Sequence, residues 1–220
     1  MHNVCNKNYG KPNFSTNTTQ YRVGNMSKRV ILITGTPCVG KTVTANLLAS
    51  KLNAFYINLT DLAINEGLTT GKDEERNSTI IDEEKMQKRI DELVRKADKN
   101  DIIIDGHYAV NVVTPSLVTL VFVLRRDPIE LRKFMEQRGF SGRKLFENLA
   151  SEILDVCLVD AVNLVGQRKV CEVNTTGKSA EETTSEILSL LENPKNCQVG
   201  IVDWLGKLET EGLLDEYLNT

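Results

Sequence analysis

The stretch RVILITGTPCVGKT (29–42) decides the fold of this chain of 220 residues. Its first part, RVILIT (29–34), is a continuous apolar run that predicts a buried β-strand, and a helical pattern follows from about residue 40. The segment between them, GTPCVGKT (35–42), has the spacing of a phosphate-binding loop in the strand–loop–helix setting that such a loop requires. A chance match in a tight turn is the alternative, and the two flanking elements argue against it.

Each residue type in this loop has a physical task. Glycines let backbone N–H groups turn inward onto phosphate oxygens, and the helix that follows adds the positive end of its dipole. Lys41 is expected to reach the β and γ phosphates, while the Thr42 hydroxyl is expected to bind Mg²⁺. The sequence therefore predicts a site for ATP with Mg²⁺.

A second motif is DIIIDGHY (101–108), in which an apolar run ends in Asp105, Gly106 and His107. In loops of this class, a carboxylate at the end of a neighbouring strand holds the Mg²⁺ through water, and Asp105 fits that role. An aspartate that only caps the next turn would look the same. Gly106 permits a sharp exit, which leaves His107 near the γ-phosphate, where a neutral imidazole could orient a water or relay a proton. A histidine that is merely packed or capped is the alternative.

Basic residues form a third cluster in LRRDP (124–128) and QRGFSGRK (137–144). Phosphoryl transfer needs cations around the migrating group, and a mobile loop can supply them while it excludes water. Arg138 is the first choice for this role, and solvated charges that complement a helix dipole are the alternative. The members of the cluster are Arg125, Arg126, Arg138, Arg143 and Lys144.

Short apolar strands alternate with helical patterns along the chain, which predicts an α/β fold with a parallel five-stranded sheet covered on both faces. Ligands of such sheets bind at the carboxyl ends of the strands. Asp61 and the polar stretch 65–81 could hold an acceptor substrate or form a plain surface loop. The predicted strands are 29–34, 54–58, 101–105, 119–124 and 169–173, and the predicted helices are 40–52, 60–66, 82–99, 128–138, 145–166 and 179–192.

The two ends differ from this pattern. Residues 1–25 have no periodicity and are expected to be disordered, and Met26 could be the true start. Residues 26–193 are expected to form the P-loop domain, and 194–220 a helical extension. The extension contains the segment VGIVDWLGKLETEGLLDEYL (199–218), whose apolar residues form two helical stripes. One stripe consists of Ile201, Trp204, Leu205 and Leu208, and the other of Leu213, Leu214, Tyr217 and Leu218. These helices either dock on the domain or bind a partner.

Composition excludes several classes of protein. A net charge of −3 argues against binding nucleic acid through bulk positive charge. The longest apolar run, LVTLVFVL (117–124), is too short to cross a bilayer, and no signal peptide is present, so a cytoplasmic protein with no membrane partner is expected. Five scattered cysteines without a CxxC pair predict neither a disulfide framework nor a zinc site.

Taken together, several segments resemble the adenylate kinase isoenzyme 6 family, particularly its archaeal members, over roughly residues 28–192. The Asp-x-His element discriminates, because ordinary adenylate kinases end that strand differently. The segments are GTPCVGKT, INLTDLA (57–63), DEERNSTIIDEEK (73–85), IIIDGHY, LVFVLRRDPIELRKFMEQRGF and KLFENLASEIL.

The resemblance implies a nucleoside-monophosphate kinase with ATPase activity that uses Mg²⁺. It places an NMP-binding region at about 58–81, with Asp61 and Asp82 as NMP-binding residues, and a lid at about 137–147. Lys41, Asp105 and His107 become the catalytic residues, and Thr42 and Asp105 the metal residues. The implied ATP-binding residues are Gly35, Cys38, Val39, Gly40, Lys41, Thr42, Val43 and Arg138.

The family resemblance also implies a role in late maturation of the small ribosomal subunit. Its partners there would be the small-subunit platform protein and pre-small-subunit particles, both bound transiently, and direct RNA contact stays open. Three hypotheses follow: a monophosphate kinase, a nucleotide-gated assembly ATPase and a kinase for a small metabolite.

Three positions depart from the family pattern. Cys38 stands where relatives usually have glycine, and a side chain there costs energy if the backbone needs a positive φ. Val43 replaces a usual threonine. The segment after Asp61 and Leu62 lacks the arginine with which classical adenylate kinases grip the monophosphate.

Overall fold

The computed structural model describes residues 28–73 and 78–218 of the chain. The expectations for residues 1–25 and for Met26 lie outside these residues.

A five-stranded sheet forms the centre of the fold, and every neighbouring pair of its strands is parallel. The strand order is β2-β5-β1-β6-β7. The strands are almost wholly apolar because helices cover both faces, which confirms the predicted sheet. Their bounds are β1 Arg29–Thr34, β2 Phe55–Asn58, β5 Asp101–Asp105, β6 Val118–Arg125 and β7 Val170–Asn174.

Helices divide between the two faces of this sheet. One core cluster contains buried residues of α2, α3, α4 and α7, and the other contains those of α1, α5, α6, α8, α9 and α10. The helices are α1 Lys41–Leu52, α2 Leu59–Glu66, α3 Glu83–Lys96, α4 Ala109–Val112, α5 Pro128–Gln137, α6 Gly142–Ile153, α7 Val156–Val165, α8 Ala180–Glu192, α9 Trp204–Thr210 and α10 Leu214–Leu218. None of these described helices is long and apolar enough to cross a bilayer.

Helix 145–166 was predicted as one element, and the structure corrects this. The helix is interrupted between α6 and α7 at Asp155, whose φ of 58° lies in the left-handed region and cannot continue a right-handed helix. The Asp155 carboxylate accepts a hydrogen bond from Arg125 Nη2 at 2.5 Å. The break therefore places a carboxylate beside a buried cation that the local sequence does not reveal.

The polar stretch after α2 also contains structure that the sequence pattern missed. Strands β3 (Thr69–Asp73) and β4 (Ser78–Ile81) pair as an antiparallel two-stranded sheet. Residues 74–77 between them lie outside the described part. The single turn α4 was missed too, because four residues are too few to show a helical period.

The C-terminal segment 198–218 docks on the domain. Trp204, Leu208 and Tyr217 are buried, whereas Ile201 and Leu205 stay exposed, so only part of the predicted stripe is a contact face. The expectation of no disulfide is wrong, because Cys171 of β7 is bonded to Cys197. A backbone hydrogen bond from Glu172 to Gln198 brings the returning chain alongside β7, which sequence spacing could not indicate.

Candidate functional site

The loop 35–40 leaves β1 at the carboxyl edge of the sheet and turns directly into α1. Gly35 has a φ of 134°, and an added Cβ there would overlap the Leu124 carbonyl oxygen. Gly40 has a φ of 101° and precedes the first turn of α1. A side chain at Gly35 would clash with the neighbouring strand, whereas at Gly40 the positive φ alone disfavours one, so both positions favour glycine.

Cys38 occupies the left-handed region of this loop, with a φ of 71°. The position thus needs a positive φ, which costs about 1–2 kcal/mol for a residue with a Cβ. The departure from glycine that the sequence showed is therefore a local strain in the phosphate-binding loop.

Lys41 lies behind the loop. Its Nζ donates to the Thr36 carbonyl oxygen at 2.9 Å. Burial lowers the pKa of Lys41, and the nearby Asp105 carboxylate opposes that shift. Burial keeps water from the Lys41 ammonium group, and an incoming phosphate would supply the hydrogen-bond acceptors that water no longer provides.

Asp105 ends β5 and lies level with Ile33 of β1 and Asn58 of β2. One carboxylate oxygen, Oδ2, accepts from Tyr56 Oη at 3.1 Å and from Asn58 Nδ2 at 2.9 Å. The other, Oδ1, is buried and has no partner among the described residues. A buried carboxylate oxygen left free in this way is suited to a metal-bound water.

The side chains fit a Mg²⁺ ion held mainly by a nucleotide. In the described part of the chain, no group of three or more His, Cys, Asp or Glu residues could hold a metal. Mg²⁺ usually takes only one or two protein ligands, together with substrate phosphates and waters. Thr42, exposed at the start of α1, and the free oxygen of Asp105 are the groups that would hold it.

His107 follows β5 after Gly106. Its carbonyl accepts from Thr34 Oγ1 at 3.1 Å, and its ring meets Tyr108 edge-on at 4.7 Å. Solvent reaches the side chain, yet protein atoms crowd the ring, and this burial together with the Lys41 charge lowers the pKa of His107 to about 4. The imidazole is therefore neutral at neutral pH, as orienting a water requires.

A cavity of about 190 Å³ opens beside the loop, between α5 and α8. The predicted residues Cys38, Val39, Gly40, Val43 and Arg138 all line it. Arg126 of the predicted basic cluster lines it too, and the structure adds residues that the sequence analysis did not single out, namely Thr44, Phe134, Thr175, Lys178, Ser179, Ala180 and Thr183.

Thr175 organises this cavity. Its single O–H lies within reach of two carbonyl oxygens, those of Val39 at 3.1 Å and Arg125 at 2.9 Å, and its Oγ1 accepts from Arg126 Nε at 3.1 Å. Its position after the last strand is a signal that could have identified it, because loops at carboxyl edges carry ligands.

A second cavity, of about 270 Å³, lies on the other side of His107. Its lining is neutral: Thr60, Ala63, Ile64, Thr79, Ile81, His107 and Tyr108. Neither of the predicted residues Asp61 and Asp82, both described, lines it. Asp61 is exposed on α2, whereas Asp82 caps α3 by accepting from the Lys85 N–H and pairs with Lys85 Nζ at 2.7 Å.

The basic cluster separates into two groups. Arg125 is buried in an ion-pair network, so the idea that it surrounds a migrating phosphoryl group is wrong. Arg126 and Arg138 line the first cavity, and Arg126 also lies over the Phe134 ring at 4.7 Å. Arg143 pairs with Glu147, and Lys144 lies over the Phe140 ring.

A larger cavity, of about 870 Å³, lies elsewhere. Lys28, Val30 and Leu117 line it, which places it at the amino edge of the strands. We assign the site to the smaller carboxyl-edge cavities because the phosphate loop and both sheet-edge motifs meet there.

Comparison with known proteins agrees with this geometry. A family model described as an AAA domain matches residues 31–155. Proteins named "Putative adenylate kinase" from Methanocaldococcus jannaschii and Pyrococcus furiosus are both 37% identical to the chain. The alignments cover 80% of this chain and 93% and 91% of those proteins. The chain belongs to this family, the adenylate kinase isoenzyme 6 family.

Solved structures share the fold of this adenylate kinase family member at low sequence identity. A gluconokinase from Sinorhizobium meliloti has a TM-score of 0.51 and 14% identity, over 76% of this chain and 94% of that one. A shikimate kinase from Bacteroides thetaiotaomicron has a TM-score of 0.52 and 20% identity, over 74% and 98%. They support the P-loop kinase fold alone.

Proposed function

We propose that the protein transfers the γ-phosphoryl group of ATP to AMP or another nucleoside monophosphate. The observation that carries the proposal is the meeting of the phosphate loop, Lys41 and the free oxygen of Asp105 at the carboxyl edge of the sheet, where one cavity opens beside the loop and another beside His107. Names of the archaeal relatives support the same reaction.

ATP would lie with its base in the first cavity and its phosphates on the loop. The backbone N–H groups of the loop and the start of α1 face the phosphates, and Lys41 supplies the cation for the β and γ oxygens. Arg126 and Arg138 line the same cavity and supply further positive charge. When bound, Mg²⁺ neutralises charge on the same oxygens, and Thr42 and Asp105 would hold it.

The acceptor monophosphate would enter the second cavity. Its neutral, partly apolar lining suits a base or ribose rather than a phosphate, which would point towards the loop. Asp61 and Asp82 as acceptor ligands stay a prediction, and closure of α2 over the acceptor would be needed to use Asp61. Attack is in line and needs no covalent intermediate.

A second activity, ATP hydrolysis, is favoured by His107. A neutral imidazole beside Lys41 can accept a hydrogen bond from a water and orient it towards the γ-phosphate. Such hydrolysis could gate binding to a small-subunit platform protein and to pre-small-subunit particles in the cytoplasm, the second candidate function.

One assay separates these functions. ADP release is measured with and without each monophosphate, and with and without the platform protein. Phosphorylated product with AMP or another monophosphate supports the kinase. Persistent hydrolysis without any phosphorylated monophosphate refutes the kinase and leaves the assembly ATPase.

Lys41→Met tests the phosphate contact itself. Loss of a hydrogen bond from a charged donor costs about 1.5–3 kcal/mol, or roughly 10- to 150-fold in ATP affinity. Lys51→Met is the matched control, because Lys51 is an exposed lysine at the far end of the same helix. Full ATP turnover in Lys41→Met would refute the site.

A further inference from the structure

Glu152 of α6 is buried, with 2% of its surface exposed, and its carboxylate joins four separate parts of the chain. Oε2 accepts from Thr36 Oγ1 of the phosphate loop at 2.5 Å. Oε1 accepts from Arg125 Nε at 2.9 Å, from the Arg126 backbone N–H at 3.0 Å and from Trp204 Nε1 at 3.2 Å. None of the sequence motifs contains this residue as a site.

Thr36 connects Glu152 to Lys41. Its hydroxyl donates to Glu152, while its carbonyl oxygen accepts from Lys41 Nζ. Thr36 is itself buried. The position of the Thr36 peptide, and hence of the ammonium group, is therefore set partly by the carboxylate behind the loop.

The C-terminal segment 198–218 presents the Trp204 N–H to Glu152 from a fixed direction. Its start is fixed by the disulfide between Cys171 and Cys197 and by a hydrogen bond of 2.8 Å from the Ile201 N–H to Glu172 Oε2. Further along, Lys207 pairs with Asp127 at the start of α5. The indole is the third donor to Oε1, beside Arg125 Nε and the Arg126 backbone N–H, so it helps to orient the carboxylate whose Oε2 is left for Thr36.

We propose that this C-terminal segment is a working part of the nucleotide site, in which Trp204 is a positioning residue. Acting through Glu152, it holds Thr36 and thereby Lys41 in the phosphate-binding arrangement. The inference rests on the proposed nucleotide site and adds to it a residue that touches no substrate.

The test is a double-mutant cycle on ADP affinity in the full chain. Calorimetry with Mg²⁺ present gives Kd for the wild type, Trp204→Phe, Thr36→Val and the double variant. Trp204→Phe keeps a buried ring and removes the donor, and we expect about 2- to 30-fold weaker binding, the range for changes within such a network. The double variant should bind within about 2-fold of Thr36→Val alone, because Trp204 acts through Thr36.

Leu205→Ala is the matched control. Leu205 is the exposed neighbour of Trp204, and its loss should leave Kd unchanged. If the Kd of the double variant instead rises by the product of the two single-variant increases, Trp204 acts independently of Thr36 and only supports the fold. That result would overturn the inference. Wild-type protein that fails to bind ADP would instead refute the proposed function.

Fluorescence provides a second readout that needs no change at Trp204. Trp204 is the single tryptophan of the chain, so its emission reports this site alone. Bound phosphate would share the Lys41 ammonium group with the Thr36 carbonyl oxygen, which changes the polarity at the far end of the Thr36–Glu152–Trp204 chain, so saturating ADP should change the emission in the wild type. Thr36→Val should lose most of that change, and a wild-type emission that ADP leaves unchanged would overturn the inference.

Discussion

Gly106→Ala adds a single methyl group between Asp105 and His107, where the chain packs closely against α2. An added Cβ would lie 2.7 Å from Leu59 Cδ1 and 3.1 Å from both Cβ and Cγ of the same leucine. Optimal carbon–carbon contacts begin at about 3.5 Å, so Leu59 must move by about 0.8 Å. Leu59 is fully buried at the start of α2, so its movement must displace packed neighbours.

Overpacking of this kind costs about 1–3 kcal/mol. At about 2–4 °C per kcal/mol for a protein of this size, Tm should fall by about 2–12 °C. Since α2 and His107 both line the second cavity, where we propose that the acceptor binds, we also expect turnover with a monophosphate to fall, by up to about 100-fold for a displacement near 1 Å.

The assays are thermal unfolding and steady-state kinetics with ATP and AMP. Gly71→Ala is the control, because a Cβ there meets nothing within 4 Å, and its effect should stay within about 0.5 kcal/mol. Leu59→Ala in the Gly106→Ala background removes the Cδ1 and Cγ contacts and leaves only the 3.1 Å contact with Cβ, so the double variant should be more stable than the sum of the single changes by about 1–3 kcal/mol. Wild-type stability and turnover in Gly106→Ala, or purely additive losses in the pair, would refute the steric reasoning.

Three further predictions follow from other residues. His107 should titrate near pH 4 in an NMR pH series, in which its signal is identified by its loss in His107→Gln. Because this folded pKa lies below the unfolded value of 6.5, the contribution of His107 to stability is present above about pH 6.5 and is lost as the pH falls towards 4. A titration midpoint near 6.5 would contradict the assignment. Cys197→Ser should lower the free energy of unfolding, measured with denaturant, by about 3.5 kcal/mol, which is the chain-entropy value for a separation of 26 residues. Reduced wild-type protein should be as stable as the variant, and equal stability of the oxidised wild type and the variant would count against the disulfide. Val43→Thr adds a hydroxyl at a position that is 53% exposed and lines the first cavity. Calorimetry should show ADP binding about 2- to 13-fold tighter, since one hydrogen bond contributes about 0.5–1.5 kcal/mol. Unchanged affinity would mean that the side chain lies away from the phosphates.

The sheet was predictable from sequence because its strands are buried on both faces and appear as unbroken apolar runs. The bounds predicted for the first strand and for 101–105 match β1 and β5. The phosphate loop was predictable for a related reason, since its spacing depends only on neighbouring residues. Local signals of this kind survive without knowledge of the fold.

Features set by distant partners were not predictable. The break at Asp155 depends on Arg125, 30 residues away, and the disulfide joins cysteines 26 residues apart. Arg125 was predicted to be a phosphate ligand because the local sequence does not show that it is buried. Its buried ion pairs are with Glu152 and Glu172, which lie on later elements of the chain. The roles predicted for Asp61 and Asp82 still require a bound acceptor to test them.

Cys38 gives the protein a chemical footprint of its own. Its thiol is free, partly accessible and located in the wall of the nucleotide cavity. Alkylating reagents attached to an adenine scaffold could be directed to this sulfur, so that the extent of labelling counts occupied and vacant molecules in a mixture. A glycine at the same place would leave such reagents nothing to attack.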